Sequence, residues 1–242
     1  MRTVNRAGEE GEEKPDLNQG IMKRARQILF TLVLIGGLLF ISAGTLAWPM
    51  AWVYLGIYLA GVLVTAVALW RANPELIAER AERRPDTKEW DKRVTTLATP
   101  LFIAIYIVCG LDRRFGWTPA LPPVVQFSAL GLYVLGSSLA IWAMVSNAYF
   151  ATTVRIQEER DHQVVSSGPY RFVRHPGYSG WGLGFLVTPP LLGSFWGLIP
   201  AGLNCIAFII RTALEDRTLQ AELAGYQEYA RQVRYRLVPG IW

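Results

Sequence analysis

Segment 168–180, which reads Gly-Pro-Tyr-Arg-Phe-Val-Arg-His-Pro-Gly-Tyr-Ser-Gly, holds side chains that can bind a polar or anionic ligand. Pro169 and Pro176 restrict its backbone, and each disfavours helix at the residue before it. The segment therefore indicates a rigid polar site, although it also fits a positively charged loop at the cytoplasmic end of a membrane helix. The segment contains one of the two histidines in the chain. Its donor side chains are Tyr170, Arg171, Arg174, His175 and Tyr178.

Arg211 and Glu215 form a second polar group, four residues apart, where the last apolar run ends. That spacing places both side chains on one helix face. Charges at such depth usually face the protein interior or a water-filled cavity, but an ordinary ion pair worth a few tenths of a kcal/mol also fits. Taken alone, these residues predict a polar site with acidic and basic members and leave the reaction open.

The elements that must position these residues are apolar helices. The chain is 52% hydrophobic and only 18% charged, which is too apolar for a typical soluble domain and predicts an all-α, polytopic membrane protein. We expect about five to six transmembrane helices, including a C-terminal helical hairpin, plus cytoplasmic helices that form the polar site. The apolar runs cover residues 28–48, 51–70, 96–111, 124–145 and, for the hairpin, 179–210.

The chain divides into three regions by composition. Residues 1–20 are acidic and then polar, which predicts a disordered N-terminal tail. Residues 21–145 hold the N-terminal transmembrane helices with a polar loop at 71–96, and residues 146–242 form the candidate catalytic region. Within the loop we expect a short surface helix over 75–84, with Arg80, Arg83 and Arg84 on a solvated face beside the membrane.

The distribution of Lys and Arg predicts the orientation in the membrane. With the N-terminus in the cytoplasm, the 71–96 loop, the 146–178 segment and the C-terminal tail all become cytoplasmic, while the opposite loops carry only Arg113 and Arg114. The net charge of +5 fits cations gathered at a membrane face and predicts no nucleic-acid partner.

Two sets of small residues have simple interpretations. Cys109 and Cys205 lie inside apolar runs, which favours buried small hydrophobes over a disulfide or a metal site. Gly180, Gly182 and Gly184 lack the preceding strand of a nucleotide-binding loop, so we expect them to allow close helix packing.

Residues 146–242 contain four ordered motifs: Gly168-x-Tyr-x-x-x-Arg-His-Pro-x-Tyr-x-Gly180, Arg211-x-x-x-Glu-Asp-x-x-Leu219, Tyr226-x-x-Tyr229 and Arg236-Leu-Val-Pro-Gly240. In this combination they resemble the isoprenylcysteine carboxyl methyltransferase family. Members of this family are integral-membrane enzymes that use S-adenosylmethionine. The broader superfamily, which includes phospholipid N-methyltransferases and membrane sterol reductases, shares the Arg-His-Pro-x-Tyr core.

The resemblance implies a role for individual residues. Glu215 would hold the polar end of S-adenosylmethionine, and Arg211 would hold the acceptor carboxylate, so these two are the candidate catalytic residues. The sequence has Glu215-Asp216 where the family often has Glu-Glu, and its link between Gln157 and His162 is short. Enclosure of the cofactor is implied for Gln157, His162, Gln163, Val164, Val165, Tyr170, His175, Pro176, Gly177 and Tyr178.

The predicted function is transfer of a methyl group from S-adenosylmethionine to a carboxylate of a lipophilic, isoprenylcysteine-like acceptor that enters from the bilayer. A carboxylate is already ionised at neutral pH, since its unperturbed pKa is about 4, so it needs positioning rather than a general base. Three alternatives remain: an amine or phospholipid N-methyltransferase with His175 or Glu215 as base, an NADPH-dependent membrane reductase, and a non-catalytic scaffold or small transporter.

Overall fold

The computed structural model describes residues 17–82 and 84–242; the predicted tail over residues 1–16 and Arg83 lie outside the described residues. The first helix begins at Leu17, so residues 17–20 are helical and do not belong to a tail. The described residues form eight α-helices and two short 3₁₀ turns, with no strand. The α-helices are α1 (Leu17–Ala43), α2 (Pro49–Ala72), α3 (Pro74–Glu79), α4 (Glu89–Phe115), α5 (Pro123–Ser146), α6 (Pro176–Leu191), α7 (Leu198–Glu222) and α8 (Tyr226–Gln232).

Five helices, α1, α2, α4, α5 and α7, are long and apolar enough to cross a membrane. This finding confirms the predicted all-helical, polytopic architecture. Helix α6 has only 16 residues, fewer than the roughly 20 that span a bilayer. It forms the short arm of the predicted hairpin, and α7 forms the longer arm.

Glycine contacts hold α6 tightly against α5. A Cβ atom at Gly136 would lie only 2.7 Å from the carbonyl oxygen of Gly180, so the two backbones touch in the manner typical of small residues in membrane helices. The packing prediction is therefore correct for Gly180. It is wrong for Gly182, where an added Cβ would have no neighbour within 4 Å.

Helix α3 differs from the predicted surface helix over 75–84, because it ends at Glu79 and is buried. Gly20 lets α1 pack directly on α3: a Cβ at Gly20 would lie 2.6 Å from the Cβ of Ala78. The prediction of a solvated face is wrong for Arg80, which is only 9% exposed. Arg84 is partly exposed and binds the buried carboxylate of Glu79 at 2.9 Å.

Long-range ion pairs join the helix ends on the side of the bundle that carries α3. Lys23 near the start of α1 binds Glu82 at 2.7 Å, and Lys88 before α4 binds Glu222 at the end of α7 at 2.6 Å. These contacts gather the polar segments that the sequence places on one membrane face. Both cysteines are free thiols: Cys109 is buried and Cys205 is half-buried.

Candidate active site

A solvent-connected cavity lies where α5 and α7 end and α6 begins, and it is closed by the 147–165 loop and α8. The predicted site residue Pro176 does not line it; Pro176 is the buried first residue of α6 and sets the start of that helix. The other predicted site residues all line the cavity: Gln157, His162, Gln163, Val164, Val165, Tyr170, His175, Gly177, Tyr178, Arg211 and Glu215.

Glu215 presents a carboxylate to this cavity. Its Oε2 accepts a hydrogen bond from the Tyr178 hydroxyl at 2.5 Å, and His175 Nδ1 lies 4.0 Å from Oε1. The side chain is 21% exposed, and it forms no ion pair with an arginine or lysine of residues 17–82 or 84–242. The ordinary Arg211–Glu215 ion pair that the spacing also allowed is therefore not formed. Glu215 remains available to a cationic group of a ligand.

Arg211 pairs with Asp91 of α4. Its Nε lies 2.7 Å from Oδ1 and its Nη2 lies 3.3 Å from Oδ2. Nη2 also donates to the Thr152 carbonyl at 3.0 Å, and the guanidinium carbon lies 5.3 Å from the centre of the Tyr178 ring. Hydrogen-bond acceptors thus occupy Nε and Nη2 of the guanidinium. Nη1 is the nitrogen without a hydrogen bond to the described residues.

Asp91 was not predicted as a site residue. It is 1% exposed and, besides Arg211, it accepts the backbone N–H of Val154 at 2.9 Å. It lies 120 residues before Arg211, so no local spacing in the sequence connects the two. The only available signal is an acid at the start of an apolar run.

Asp216, next to Glu215, is a fully buried acid that binds four side chains on three other segments. Arg174 holds it with Nε at 2.7 Å and Nη2 at 3.0 Å, and Arg236 Nε binds it at 2.9 Å. The Tyr226 hydroxyl lies 3.2 Å away and His175 Nε2 lies 3.4 Å away. The two adjacent acids therefore have different roles. Glu215 faces the cavity, while Asp216 binds side chains of the segments that form the wall of the cavity.

Arg174 is a structural residue rather than a ligand donor. Its remaining nitrogen, Nη1, donates to the carbonyls of Val233 at 2.8 Å and Arg234 at 3.0 Å, where α8 ends. Arg171 is exposed and lies over the ring of Phe172. Neither Arg171 nor Arg174, the two predicted arginine donors of segment 168–180, therefore offers a free guanidinium to the cavity.

The C-terminal motif pairs with the Arg-His-Pro segment through the backbone. The N–H of Arg174 donates to the Tyr235 carbonyl, and the N–H of His175 donates to the Arg236 carbonyl, both at 2.9 Å. The Ser179 hydroxyl donates to the Leu237 carbonyl at 2.6 Å. The separate motifs of the sequence thus form one continuous wall.

The short link between Gln157 and His162 closes as a tight turn. Asp161 adopts a left-handed conformation (φ 50°) after a 3₁₀ turn, and the N–H of Gln157 donates to His162 Nδ1 at 3.3 Å. Burial, with the nearby positive charges of Arg155 and Arg160, lowers the pKa of His162 to about 4. The imidazole is therefore neutral near pH 7, and its proton is on Nε2.

Arg155 ties this loop to α3. Its side chain is 3% exposed and binds Glu79 at 2.9 Å, Asp86 at 2.9 Å and Glu159 at 2.5 Å. Since Arg155 also lines the cavity, the N-terminal half of the chain contributes to the shape of the site.

Aromatic rings form the wall nearest the spanning helices. The Phe150 and Trp181 rings lie 5.5 Å apart, and Trp181 lies 5.8 Å from Tyr178. Gly177 makes room for this wall, because a Cβ there would lie 2.5 Å from the Phe150 ring. Phe208 of α7 completes the cluster 5.7 Å from Tyr178.

The fold and the cavity define a polytopic helical membrane protein with a polar ligand site at one end of its bundle. Residues 129–221 match the isoprenylcysteine carboxyl methyltransferase (ICMT) family. This match confirms the resemblance for that stretch, which contains Arg211 and Glu215 and excludes Asp91.

Individual relatives agree with the family match. A protein-S-isoprenylcysteine O-methyltransferase of Schizosaccharomyces pombe is 33% identical over 113 residues, which cover 46% of this chain and 48% of that protein. Probable protein-S-isoprenylcysteine O-methyltransferases of Oryza sativa, subspecies indica and japonica, are each 27% identical over 112 residues, covering 45% of this chain and 59% of theirs. The chain therefore spans about half the length of these curated relatives.

Proposed function

We propose that this protein is an S-adenosylmethionine-dependent carboxyl methyltransferase acting on a lipophilic, isoprenylcysteine-like acceptor. The observation that carries the proposal is the separation of charge on one face of α7. Arg211 is held by Asp91, while Glu215, one turn further, faces the cavity without a cationic partner among the described residues. One wall of the cavity thus offers Glu215 to the cationic part of one reactant and Arg211 to the anionic part of the other.

The residues present fit S-adenosylmethionine. Glu215 is placed to bind its amino group, and the neutral His162 adds no positive charge beside a cationic ligand. The loop residues 162–165 with Gln157, Tyr170, His175, Gly177 and Tyr178 enclose the ligand. When bound, S-adenosylmethionine supplies a methyl group whose new bond to a carboxylate oxygen forms as its bond to sulfur breaks, the electron pair staying on sulfur.

A carboxylate acceptor suits this set of side chains because the reaction removes no proton. His175, the candidate base for an amine acceptor, lies against Asp216 and Tyr226 at 3.4 Å each. Arg211 offers Nη1 to the acceptor carboxylate, and Asp91 fixes the plane of the guanidinium. Orientation and exclusion of water by the cavity walls then account for the rate.

The apolar part of the acceptor would lie against the aromatic cluster of Phe150, Trp181 and Phe208, which faces the spanning helices. The outer face of α7 carries exposed apolar side chains, Ile206, Ile209 and Ile210, as expected for contact with lipid. We infer that the acceptor enters from the bilayer, and that the N-terminus and the site are cytoplasmic because Lys and Arg gather there.

The test is methyl transfer by purified protein in lipid nanodiscs, with methyl-labelled S-adenosylmethionine and N-acetyl-S-farnesylcysteine. The proposal predicts label in a base-labile ester, and no label when the acceptor is already the methyl ester. Base-stable label in the lipid fraction would instead support an N-methyltransferase, and absence of any transfer would contradict the proposal.

A further inference from the structure

The last nine residues of the chain pack against the segment that leads into α6. The Arg174 N–H donates to the Tyr235 carbonyl at 2.9 Å, and the Arg174 guanidinium donates to the Arg234 carbonyl at 3.0 Å. Segments 171–175 and 234–242 therefore form one surface next to the start of α6.

Four apolar side chains are exposed on this surface, outside the helices that are long enough to span a membrane. Single exposed apolar residues are ordinary, but several on adjoining segments mark contact with a protein or a membrane. The exposed fractions are 57% for Phe172, 38% for Tyr235, 45% for Val238 and 80% for Ile241. We call these four residues, together with Arg171 and Arg234, the C-terminal patch.

The two arginines of the C-terminal patch have no carboxylate partner. Arg171 and Arg234 are both exposed, and neither forms an ion pair within residues 17–82 and 84–242. The guanidinium carbon of Arg171 lies 5.8 Å from the centre of the Phe172 ring. The patch thus presents positive charge directly beside apolar surface.

Neither segment of the patch contains an acid. Stretches 163–214 and 229–242 hold no Asp or Glu at all. Of the acids between these stretches, Glu215 lines the cavity, and Asp216 is buried between two arginines. Glu228 pairs with an arginine of its own helix at 3.3 Å. The charge of the patch is therefore complementary to an anionic partner.

The patch lies at the level where the spanning helices end. The 3₁₀ turn that precedes it packs on the end of α5, because a Cβ atom at Gly168 would lie 3.3 Å from Nε1 of Trp142. Trp142 is 46% exposed, and tryptophan is enriched at the membrane–water interface. At that depth apolar side chains reach the acyl chains of lipids, while arginine side chains reach the phosphates.

We propose that the C-terminal patch is a binding surface for anionic phospholipids, in which Arg171 and Arg234 bind headgroup phosphates and the four apolar side chains enter the acyl region. A zwitterionic lipid also carries a positive charge in its headgroup, which the two arginines repel. Each arginine near an anionic surface strengthens binding about fivefold. The inference is independent of the methyl-transfer reaction, and it explains how the segment that carries His175 is held at the bilayer surface.

The experiment locates the lipid on the full chain in phosphatidylcholine nanodiscs. Trace phosphatidylglycerol or phosphatidylcholine, each with the same photoreactive acyl chain, is crosslinked, and mass spectrometry of peptides measures labelling of segments 168–175 and 232–242. We expect phosphatidylglycerol to label these segments about tenfold more than phosphatidylcholine in wild type.

Two double variants separate the patch from general attraction to cations. Arg171→Gln with Arg234→Gln should lose most of the preference, and the corresponding pair of lysine substitutions should retain it. Arg71→Gln with Arg93→Gln, which removes two exposed cations of α2 and α4, is the matched control and should keep the wild-type preference.

Several results would overturn the inference. Equal labelling of the two segments by both lipids in wild type would do so, as would an unchanged preference in the glutamine double variant. Absence of any lipid label would show that something other than lipid covers the patch. Loss of the preference in excess glycerol phosphate would assign the arginines to a free phosphate instead of a lipid. Failure of the proposed function is a separate result, because it appears as absence of methyl transfer by wild type.

Discussion

Nε of Arg211 lies 2.7 Å from Oδ1 of Asp91, a residue 120 positions earlier in the chain. The same carboxylate accepts the N–H of Val154 in the loop that closes the cavity. One buried acid of α4 thus orients both the cation on α7 and the loop opposite it. The stretch that matches the family holds Arg211, while the residue that positions it lies outside.

Removal of Asp91 tests this relationship. Asp91→Ala leaves the guanidinium of Arg211 buried and unpaired, and loss of one partner of a buried pair costs about 3–5 kcal/mol. We expect a lower midpoint of thermal unfolding and a fall in kcat. In a double-mutant cycle, Asp91→Ala with Arg211→Ala should cost less than the sum of the single changes. Additive effects would show that the pair is not coupled.

Arg211→Lys should not restore activity. A lysine ammonium is a point charge, and it cannot bind both Asp91 oxygens and the Thr152 carbonyl while also leaving a donor for an acceptor. We expect at least a tenfold loss of kcat/KM for the acceptor, with little change in the affinity for S-adenosylhomocysteine. Near-normal turnover of Arg211→Lys would exclude a role for the planar guanidinium.

Glu215→Gln should weaken cofactor binding more than it affects folding, because the carboxylate is partly exposed and has no arginine or lysine partner within the described residues. A hydrogen bond to a charged group is worth about 1.5–3 kcal/mol, which corresponds to a loss of roughly tenfold to a hundredfold in affinity. Calorimetry with S-adenosylhomocysteine measures it. Glu228→Gln, at an exposed acid of α8 that is 62% exposed, serves as the control. Failure to express, with unchanged affinity in the protein that remains, would assign Glu215 a structural role.

The sequence was informative where its signals are local. Long apolar runs predicted the spanning helices, and the motifs over 157–178 and 211–215 predicted residues that do line one cavity. Pro176 was the exception, since it is the buried first residue of α6 and does not line the cavity. Local patterns reach a few residues along a helix or a turn, which suffices for these features.

The long-range pairs could not be predicted. Asp91 and Arg80 lie in the polar stretch 71–96, whose composition is that of a solvated surface. The packing of α3 on α1 and the contact of Arg80 with Phe150 accompany the burial of Arg80 in the structure. Likewise, Glu215 and Asp216 are adjacent acids, and the residue types alone do not distinguish their roles. Their different roles follow from the helical rotation between adjacent positions, which directs Asp216 to Arg174 and Arg236.

Asp216→Asn should lower the free energy of unfolding, so its effect should not be confined to catalysis. The substitution removes the negative charge between Arg174 and Arg236 and leaves two guanidiniums facing each other, at a cost of about 3–5 kcal/mol. We expect a clear drop in the thermal midpoint even with saturating S-adenosylhomocysteine. A midpoint within one degree of wild type would contradict the structural role of Asp216.

The low pKa of His162, about 4, predicts a pH effect of known sign. In the unfolded chain His162 binds a proton as the pH falls below about 6.5. In the folded protein His162 binds that proton only near pH 4. The contribution of His162 to stability is therefore complete above pH 6.5 and declines between pH 6.5 and 4. His162→Gln should flatten that part of the thermal midpoint profile, and an unchanged profile would show that other groups cause the decline.

The most direct test of the central claim is calorimetric titration of detergent-purified protein with S-adenosylhomocysteine and, separately, with NADPH. We predict that S-adenosylhomocysteine binds and that NADPH does not. Binding of NADPH alone would place the protein with the reductases of the superfamily, and binding of neither by folded protein would contradict a methyl-donor site in the cavity.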